Sequence, residues 1–279
     1  MGHKESRAVR FLYQTIPGRV ILKLLIQPTF SKLMVPYLTS PLSKWLISYY
    51  IRKFQIDLSP YPKKSYRSFN DFFTRERFEI SKIEDRNSLI APCDSFLSVY
   101  PITADATFWV KHIEYDLETL LRNRQLAEKY CDGDCLIFRL APYHYHRYIY
   151  TDSGNITAKN QIPGVLHCVR PDACSRIPVY IMNTREYTCL QSDHFGDMVQ
   201  MEVGALLVGR IQNHQSNASV CRYQEKGLFE FGGSTIILLF EKGKIMLDET
   251  VRQNVKFGKE LAVKIGQKIG TTAKQEESL

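Results

Sequence analysis

Short runs of β-branched and aromatic residues, separated by glycine and asparagine, fill the second half of the chain from Cys135 onward. They do not alternate with long helical patterns, and such alternation is what a parallel, doubly wound sheet requires. The chain is therefore expected to form an antiparallel, β-rich body. The predicted strands are Cys135–Leu140, Val179–Met182, Met198–Val203, Ala205–Ile211, Leu228–Phe231 and Thr235–Phe240.

Helices are predicted mainly before this region. Prolines punctuate the first sixty residues, so the helices there must be short. Apolar residues at spacings of three and four indicate one buried or membrane-facing side in each helix. The predicted helices are Arg19–Gln27, Leu42–Lys53, Phe69–Glu76 and Tyr115–Tyr130, the last of them ended by Asp132-Gly133. The predicted fold class is α+β, with N-terminal helices followed by an antiparallel β-rich body.

Positive charge is concentrated at the start of the chain. Residues 1–60 hold nine Lys and Arg against two Asp and Glu, whereas the whole chain carries a net charge of +8. Basic residues beside apolar, aromatic helix faces favour binding to an anionic membrane surface. The alternative is that these faces pack on the protein's own core, and the segment is too apolar for a nucleic-acid-binding arm. We therefore predict a membrane-docking helical segment over residues 1–60 and a globular domain over residues 61–279.

Composition excludes several protein classes. No run of about 18 uncharged apolar residues is present, so a transmembrane helix is not expected, and Val20–Ile26 lacks the cleavage site of a secretory signal. The seven cysteines are an odd number and are scattered, which indicates free thiols in a reducing compartment. Cys131-x-x-x-Cys135 lacks a second Cys or His pair at zinc spacing, so no metal site is predicted.

A candidate nucleophile lies where two glycines lead into an apolar strand. The segment is Phe229–Thr235 (FEFGGST), in which Ser234 directly follows Gly233. Glycine allows a strained backbone and leaves its carbonyl carbon sterically open. A neighbouring serine hydroxyl can attack such a carbonyl if a base and an oxyanion site are present. The alternative is an ordinary Gly-Gly turn before a strand, and the heptapeptide alone favours this second reading.

Other short blocks along the chain add a second signal. They are Phe72-Phe73-Thr74-Arg75-Glu76, Ala91-Pro92-Cys93-Asp94-Ser95, Arg139-Leu140-Ala141-Pro142 with Tyr145-His146-Arg147, Asn183-Thr184-Arg185-Glu186, Val203-Gly204-Ala205 with Val208-Gly209, and Lys226-Gly227 with Phe229 and Gly232-Gly233-Ser234-Thr235. In this order they resemble the motifs of the phosphatidylserine decarboxylase family of pyruvoyl-dependent enzymes. The last block resembles the family's cleavage block with shorter spacing.

The resemblance implies a zymogen that cleaves its own chain. Ser234 would attack the carbonyl of Gly233, and elimination would separate a chain of residues 1–233 from a chain of residues 234–279. Hydrolysis would leave a pyruvoyl group, derived from Ser234, at the new N-terminus. This cofactor would form a Schiff base with the serine amine of phosphatidylserine and withdraw electrons as carbon dioxide leaves. The product would be phosphatidylethanolamine, and residues 61–279 would be the catalytic domain.

The resemblance also implies roles for two histidines and an aspartate. Family members commonly carry H-R-x-H, but residues 146–149 read H-R-Y-I here, and isoleucine cannot accept a proton. A branch of the family has G-x-L-H, which His167 matches, so His167 is predicted as the self-cleavage base and Asp94 as its orienting group. His146 is predicted to act in decarboxylation. For both histidines the alternative is a core imidazole bonded to backbone.

The resemblance further implies phosphatidylserine as the substrate, an anionic membrane as a partner, a peripheral location at the cytoplasmic face of a membrane, and a homodimer of cleaved protomers. Arg75, Arg147 and Arg185 are candidates for holding the substrate phosphate. One alternative is a pyruvoyl decarboxylase of a soluble amino acid, which would need no docking helices. The other is an uncleaved homologue that only binds lipid, against which the intact Gly233-Ser234-Thr235 argues.

Overall fold

The computed structural model describes residues 7–62, 65–206, 210–215, 218–232, 234–256 and 258–273. Short helices come first along the chain, as predicted. They are α1 (Arg7–Gln14), α2 (Ile16–Leu25), α3 (Pro28–Thr39), α4 (Lys44–Phe54) and α5 (Phe69–Phe73). A single turn of 3-10 helix, Pro41–Ser43, connects α3 to α4.

Local sequence determines where these helices begin and end. The Thr15 hydroxyl accepts a hydrogen bond from the Gly18 N–H at 3.0 Å and thereby caps the start of α2. At the end of α4, Gln55 adopts a left-handed conformation with a φ of 51°. The predicted helices Arg19–Gln27 and Leu42–Lys53 are therefore confirmed, with slightly different ends.

One side of the helical segment packs against the rest of the protein. Residues from α3, from α5 and the segment before it, and from the turn before Ser234 form a buried cluster. Its members are Leu38, Tyr66, Phe69, Phe72, Phe73 and Phe231. Leu46 and Tyr50 of α4 cover this cluster and stay partly exposed. The packing interpretation of the N-terminal helices thus holds for this side, which touches the chain just before the predicted cleavage site.

The strands follow the helical segment. They are β1 (Ser88–Ile90), β2 (Ser95–Pro101), β3 (Thr107–Val110), β4 (Ile113–Asp116), β5 (Asp134–Leu140), β6 (Arg147–Ile149), β7 (Gly154–Ile162), β8 (Arg185–Ser192), β9 (Gly196–Val203), β10 (Arg210–Asn213), β11 (Ser219–Val220), β12 (Glu225–Glu230), β13 (Ser234–Phe240), β14 (Ile245–Leu247), β15 (Leu261–Val263) and β16 (Lys268–Thr272). Further helices lie between them: α6 (Leu117–Leu121), α7 (Arg124–Glu128), α8 (Pro171–Cys174), α9 (Val179–Met182) and α10 (Glu249–Lys256).

An eight-stranded antiparallel sheet forms the body, in the order β11-β7-β8-β9-β13-β5-β2-β15. Smaller sheets, β10-β12-β6 and β1-β16-β14, accompany it. The predicted α+β class is confirmed. Strand β13 lies between β9 and β5, and all of its side chains are buried. Its continuous apolar run, Ile236–Phe240, fits this central position because both faces of the strand are covered.

Two predicted strands are wrong or displaced. Val179–Met182 is the helix α9, because the Val179 carbonyl accepts the Asn183 N–H at 2.9 Å and closes a helical turn. Packing of Val179 against the core overrides the β preference of its branched side chain. For Ala205–Ile211, the strand β10 begins only at Arg210, and residues 207–209 lie outside the described ranges.

The predicted helix Tyr115–Tyr130 is divided. Tyr115 belongs to β4, and the Asp116 carboxylate caps α6 by accepting the Thr119 N–H at 2.7 Å. Arg122 then adopts a left-handed conformation with a φ of 51°, which ends α6. Asn123 caps α7 through its side-chain oxygen. The helical periodicity was therefore correct, but two capping residues inside the segment break the helix.

Candidate active site

Ser234 begins β13, and its side chain is buried. Among the described residues its Oγ atom has no hydrogen-bond partner. Since nearly all buried polar groups are hydrogen-bonded, an exception of this kind calls for a functional explanation. Gly232 has a φ of 109°, which L side chains rarely adopt, so this turn requires glycine. Gly233, the predicted other side of the cleaved bond, lies outside the described residues.

The main sheet brings the predicted site residues to one edge. In its register Ser234 pairs with Leu140 at the end of β5, and Thr235 pairs with Val203 at the end of β9. Strand β2 lies on the far side of β5 and begins directly after Asp94. Because neighbouring strands are antiparallel, the starts of β13 and β2 meet the ends of β5 and β9 at this edge.

His146 lies on the β5 side of Ser234 and is fully buried. Its backbone carbonyl accepts the Phe229 N–H at 2.9 Å, close to the turn that leads into β13. Its Nδ1 atom lies 2.9 Å from the carbonyl of His144, which can only accept, so Nδ1 carries the proton. The neutral ring therefore leaves Nε2 as an acceptor, and Nε2 has no partner within the described part of the chain.

The surroundings keep His146 uncharged. Burial lowers the pKa of His146 well below its usual range, and the nearby Arg75 and His144 lower it further. The backbone carbonyls of His144 and Gly232 act in the opposite direction. The Gly232 carbonyl belongs to the turn before Ser234, so the imidazole lies beside that turn. The reading of His146 as a core imidazole accounts for the Nδ1 contact but not for the unpartnered Nε2.

His167 lies on the β9 side of Ser234. Its backbone N–H donates to Asn183 Oδ1 at 2.8 Å, and its carbonyl accepts from Asn183 Nδ2 at 2.9 Å. Asn183 Nδ2 also donates to the carbonyl of Gly204 at 2.7 Å, directly after β9. Burial lowers the pKa of the His167 ring, which favours the neutral form of a base. Asn183 thus joins the His167 segment to the edge where β13 begins, a role that its motif alone did not reveal.

Asp94 reaches the same edge but has other partners. Its Oδ1 atom accepts the Ile265 N–H at 2.9 Å and lies 3.4 Å from Arg77. Its Oδ2 atom lies 3.5 Å from the Lys264 ammonium. Neither candidate histidine is among the hydrogen-bond partners of Asp94 in the described residues. The predicted orienting role of Asp94 toward His167 stays a prediction, since no contact between them supports it.

Comparison with known proteins identifies the family. The family model described as phosphatidylserine decarboxylase matches residues 69–271. The chain belongs to the phosphatidylserine decarboxylase family. It is 43% identical to phosphatidylserine decarboxylase proenzyme 2 of Clostridium acetobutylicum, over 95% of this chain and 91% of that protein. It is 40% identical to the phosphatidylserine decarboxylase proenzyme of Clostridium novyi, over 94% of this chain and 92% of the relative.

The arginines that we considered as phosphate ligands in this decarboxylase-family chain have structural contacts. Arg185 is buried and donates hydrogen bonds to the backbone carbonyls of residues 119, 120, 181 and 183. Arg75 is also buried and donates to the carbonyls of Phe72 and Tyr143. Arg147 pairs with Glu225 at 2.8 Å. These contacts tie all three arginines to the fold, and only Arg75 keeps a buried donor, Nε, without a hydrogen-bond partner among the described residues.

A cleft of about 660 Å³ opens beside this edge of the decarboxylase-family fold. Gly204 lines it, and Gly204 follows Val203, the residue paired with Thr235. Lys32 of α3 and Arg210 of β10 also line it and supply positive charge. The described part of the chain contains no group of three or more His, Cys, Asp or Glu side chains placed to share a metal ion. The acidic Glu186 lines the cleft as well, and through Gly204 the cleft borders the sheet edge where β13 begins.

Proposed function

We propose that this chain is a phosphatidylserine decarboxylase proenzyme that cleaves itself between Gly233 and Ser234 and then converts phosphatidylserine to phosphatidylethanolamine and carbon dioxide. The observation that carries the proposal is the buried Ser234 hydroxyl at the start of a central strand, which has no hydrogen-bond partner among the described residues. Relatives at about 40% identity over most of the chain bear the name of this proenzyme, which supports the same conclusion.

Self-cleavage would use groups of this chain alone. The Ser234 hydroxyl attacks the Gly233 carbonyl carbon, a C–O bond forms, and the peptide C–N bond breaks to give an ester. Elimination of the Gly233 carboxylate leaves dehydroalanine, which takes up water and releases ammonia. A base has to accept the Ser234 proton, because a neutral hydroxyl is a poor nucleophile. His167 is our candidate for this base.

The residues around Ser234 suit a pyruvoyl group made from it. Residues 235 to 240 stay anchored between β5 and β9 on both sides, so the new N-terminus would be held at the sheet edge. Ser234 Oγ has no hydrogen-bond partner among the described residues. Its strand is flanked by β5, after which His146 follows in the chain, and by β9, whose end Asn183 joins to the His167 segment. When formed, the pyruvoyl group would supply the electron-withdrawing carbonyl that decarboxylation of an amino acid requires.

His146 has the protonation state that the second reaction needs. Its neutral ring presents an acceptor at Nε2, so it can take a proton from the ammonium group of the substrate. The same nitrogen can return that proton to the carbon that has lost carbon dioxide. The burial that lowers the pKa of His146 also excludes water from this transfer.

We also propose that α2, α3 and α4 dock the enzyme peripherally on the anionic, cytoplasmic face of a membrane. Large apolar side chains are exposed on these helices and on the turns beside them. They are Ile16, Val20, Ile21, Leu24, Leu33, Leu42, Trp45 and Tyr49. Arg19, Lys23, Lys32, Lys44, Arg52 and Lys53 are interspersed among them. Such a surface favours the interface of an anionic bilayer. None of the helices in the described ranges is long and apolar enough to span a bilayer.

The experiment is a denaturing gel with intact-mass measurement, beside an assay of carbon dioxide release from phosphatidylserine. We expect two chains, with residues 234–279 lacking a free amino terminus. Ser234→Ala should fold, stay whole and be inactive, whereas Ser95→Ala, the buried serine that begins β2, should cleave. A whole, active wild-type chain would refute the mechanism. Release of carbon dioxide only from a soluble amino acid would favour the alternative substrate. A whole, inactive wild-type chain would favour the uncleaved, lipid-binding homologue.

A further inference from the structure

The N-terminal helical segment contacts the candidate self-cleavage base directly. Tyr13 of α1 places its hydroxyl oxygen 3.2 Å from His167 Nδ1. The same oxygen accepts the backbone N–H of Cys168 at 3.0 Å. Close by, the carbonyl of Ile26, at the end of α2, accepts the Leu166 N–H at 2.8 Å. Residues 166–168 are therefore held by two separate points of the helical segment.

The Nδ1 contact determines what His167 can do. A neutral imidazole accepts a proton at Nε2 only if Nδ1 carries the ring proton, so a base of this kind needs an acceptor at Nδ1. In serine hydrolases a buried carboxylate has this place. Here Asp94 binds the Ile265 N–H, Arg77 and Lys264 instead. The polar side-chain atom in contact with His167 Nδ1 is the Tyr13 hydroxyl oxygen.

We propose that Tyr13 is the positioning residue for His167 in self-cleavage. Its oxygen accepts a hydrogen bond from Nδ1–H, which leaves Nε2 free to take the proton of Ser234. Tyr13 itself neither gains nor loses a proton in this role. This inference rests on the proposed self-cleavage. It gives the N-terminal helical segment a role in that reaction, although α1 lies more than two hundred residues before Ser234 in the sequence.

Packing around Tyr13 supports a fixed geometry. Its ring centroid lies 5.9 Å from that of His167 with an interplanar angle of 47°, so the two rings also touch. The Cys168 N–H fixes the phenol oxygen from the other side. Burial raises the pKa of Tyr13, and the neighbouring Cys168, Cys174 and Asp172 raise it further, so the phenol stays protonated. Burial also raises the pKa of both thiols, so neither titrates near neutral pH.

The test compares Tyr13→Phe with Tyr223→Phe, which also removes a hydroxyl that accepts a backbone N–H, that of Ile83 at 2.8 Å, but lies outside the candidate site and the docking helices. Both chains are made by cell-free translation and sampled on a denaturing gel over time, at several pH values. We expect Tyr13→Phe to cleave about 10- to 100-fold more slowly, as loss of a partner that orients a histidine typically does. Tyr223→Phe should cleave like the wild type.

The pH profile separates positioning from a merely structural role. An acceptor at Nδ1–H favours the charged imidazolium, so its loss should move the acid limb of the cleavage rate to lower pH in Tyr13→Phe. A move to higher pH, or faster cleavage, would show that the Tyr13 hydroxyl donates and holds the wrong tautomer, which overturns the proposal. Unchanged cleavage would overturn it as well.

Two controls keep the result interpretable. Tyr13→Phe combined with Ser234→Ala should unfold at the same temperature as Ser234→Ala alone, and a large drop would assign the effect to folding and overturn the positioning role. Decarboxylation per cleaved molecule should be unchanged in Tyr13→Phe. If the wild type does not cleave itself, the proposed function is wrong. If the wild type and Tyr13→Phe cleave at equal rates, only the proposal for Tyr13 is wrong.

Discussion

At the scale of single residues, the two candidate histidines differ in what fixes their tautomer. His146 faces a backbone carbonyl through Nδ1, so the fold itself places the proton there. His167 faces the Tyr13 hydroxyl, which can donate or accept. Both rings are neutral because burial lowers their pKa values. The division of labour that we propose for them therefore rests on their positions around Ser234 rather than on charge.

Substitution of each histidine should affect a different reaction. We expect His167→Ala to block self-cleavage, because no base then accepts the Ser234 proton. His146→Ala should cleave but lose about 10²–10⁴-fold in decarboxylation, the usual contribution of a general acid or base. The measurement is a time course of both chains beside carbon dioxide release, with His112→Ala at an exposed turn as the control. Normal cleavage by His167→Ala together with a whole His146→Ala chain would reverse the assignment.

A second residue-scale prediction concerns acid stability. Burial lowers the pKa of His144 to about 4, with Lys264 and Arg139 contributing in the same direction and Asp94 and Glu260 opposing. The unfolded chain binds a proton at an ordinary histidine pKa of about 6.5, whereas the folded chain does not. The stability contributed by neutral His144 is therefore complete above about pH 6.5 and decreases as the pH falls toward about 4.

Thermal unfolding of the uncleaved Ser234→Ala variant between pH 7 and pH 4 measures this dependence. We expect the unfolding temperature to decrease as the pH falls, and to decrease less steeply in His144→Asn. Asparagine keeps a polar group near the Ala141 N–H, which donates to His144 Nδ1 in the wild type. His146 should contribute in the same direction, since its pKa is also lowered. An equally steep fall in His144→Asn would show that other groups dominate.

At the scale of elements, a buried ion pair joins the small sheet to the main one. Lys226 of β12 donates to Glu202 of β9, and both side chains are buried. Asn213 of β10 bonds to both partners, at 3.1 Å and 3.2 Å. Burial raises the pKa of Glu202 and lowers that of Lys226, while their mutual attraction opposes both shifts. Glu202 pairs in register with Ile236 of β13, so this contact lies next to the strand that Ser234 begins.

Replacing one partner of this ion pair should lower the free energy of unfolding more than replacing both partners. Lys226→Met leaves the Glu202 charge buried and unpaired, which typically destabilises a protein by about 3–5 kcal/mol. Adding Glu202→Gln removes that charge and should recover much of the loss. Urea unfolding of these variants in the uncleaved Ser234→Ala background provides the free energies. Equal losses in the single and double variants would mean that packing, not charge, is responsible.

At the scale of the whole molecule, α1 and α2 join the helical side that we propose to dock on a membrane to the candidate catalytic edge. The apolar side chains that are exposed on the helices surround basic residues, whereas the helix side toward the body packs on Phe69 and Phe72. In the docking that we propose, the helices bind the bilayer, and the cleft beside Gly204 lies next to them because Pro28 and Lys32 of α3 also line it. The homodimer of cleaved protomers stays a prediction.

The two tryptophans of the chain allow a direct test of docking. Trp45 on α4 is 61% exposed, and Trp109 on β3 is 51% exposed. In Trp109→Phe, the fluorescence of Trp45 should shift to the blue with anionic vesicles, because the ring enters the interface, and added salt should reverse the shift. In Trp45→Phe, the fluorescence of Trp109 should not change. Equal responses to neutral and anionic vesicles would favour the core-packing interpretation of the helices.

Much of the fold and part of the site followed from sequence. The α+β class came from helical spacings before Cys135 and short β-branched runs after it, and these patterns are local. The run Thr235–Phe240 was predicted as a strand from its β-branched and aromatic residues, and its continuous apolar character fits the burial of β13 on both faces. The polar strand β7 was not predicted, since most of its residues are exposed and carry no apolar pattern.

Tertiary structure decided which side chains meet. Sequence motifs placed Ser234, His146, His167 and Asp94 in the site, but only the strand order brings them to one edge. The motifs did not predict that Asp94 binds Lys264 and the Ile265 N–H, that the candidate arginines hold backbone carbonyls, or that Tyr13 contacts His167. These contacts join residues that are far apart in the chain. Periodicity and turn residues predict only the local structure of residues that are close in sequence. Contacts between distant residues depend on how whole helices and strands pack.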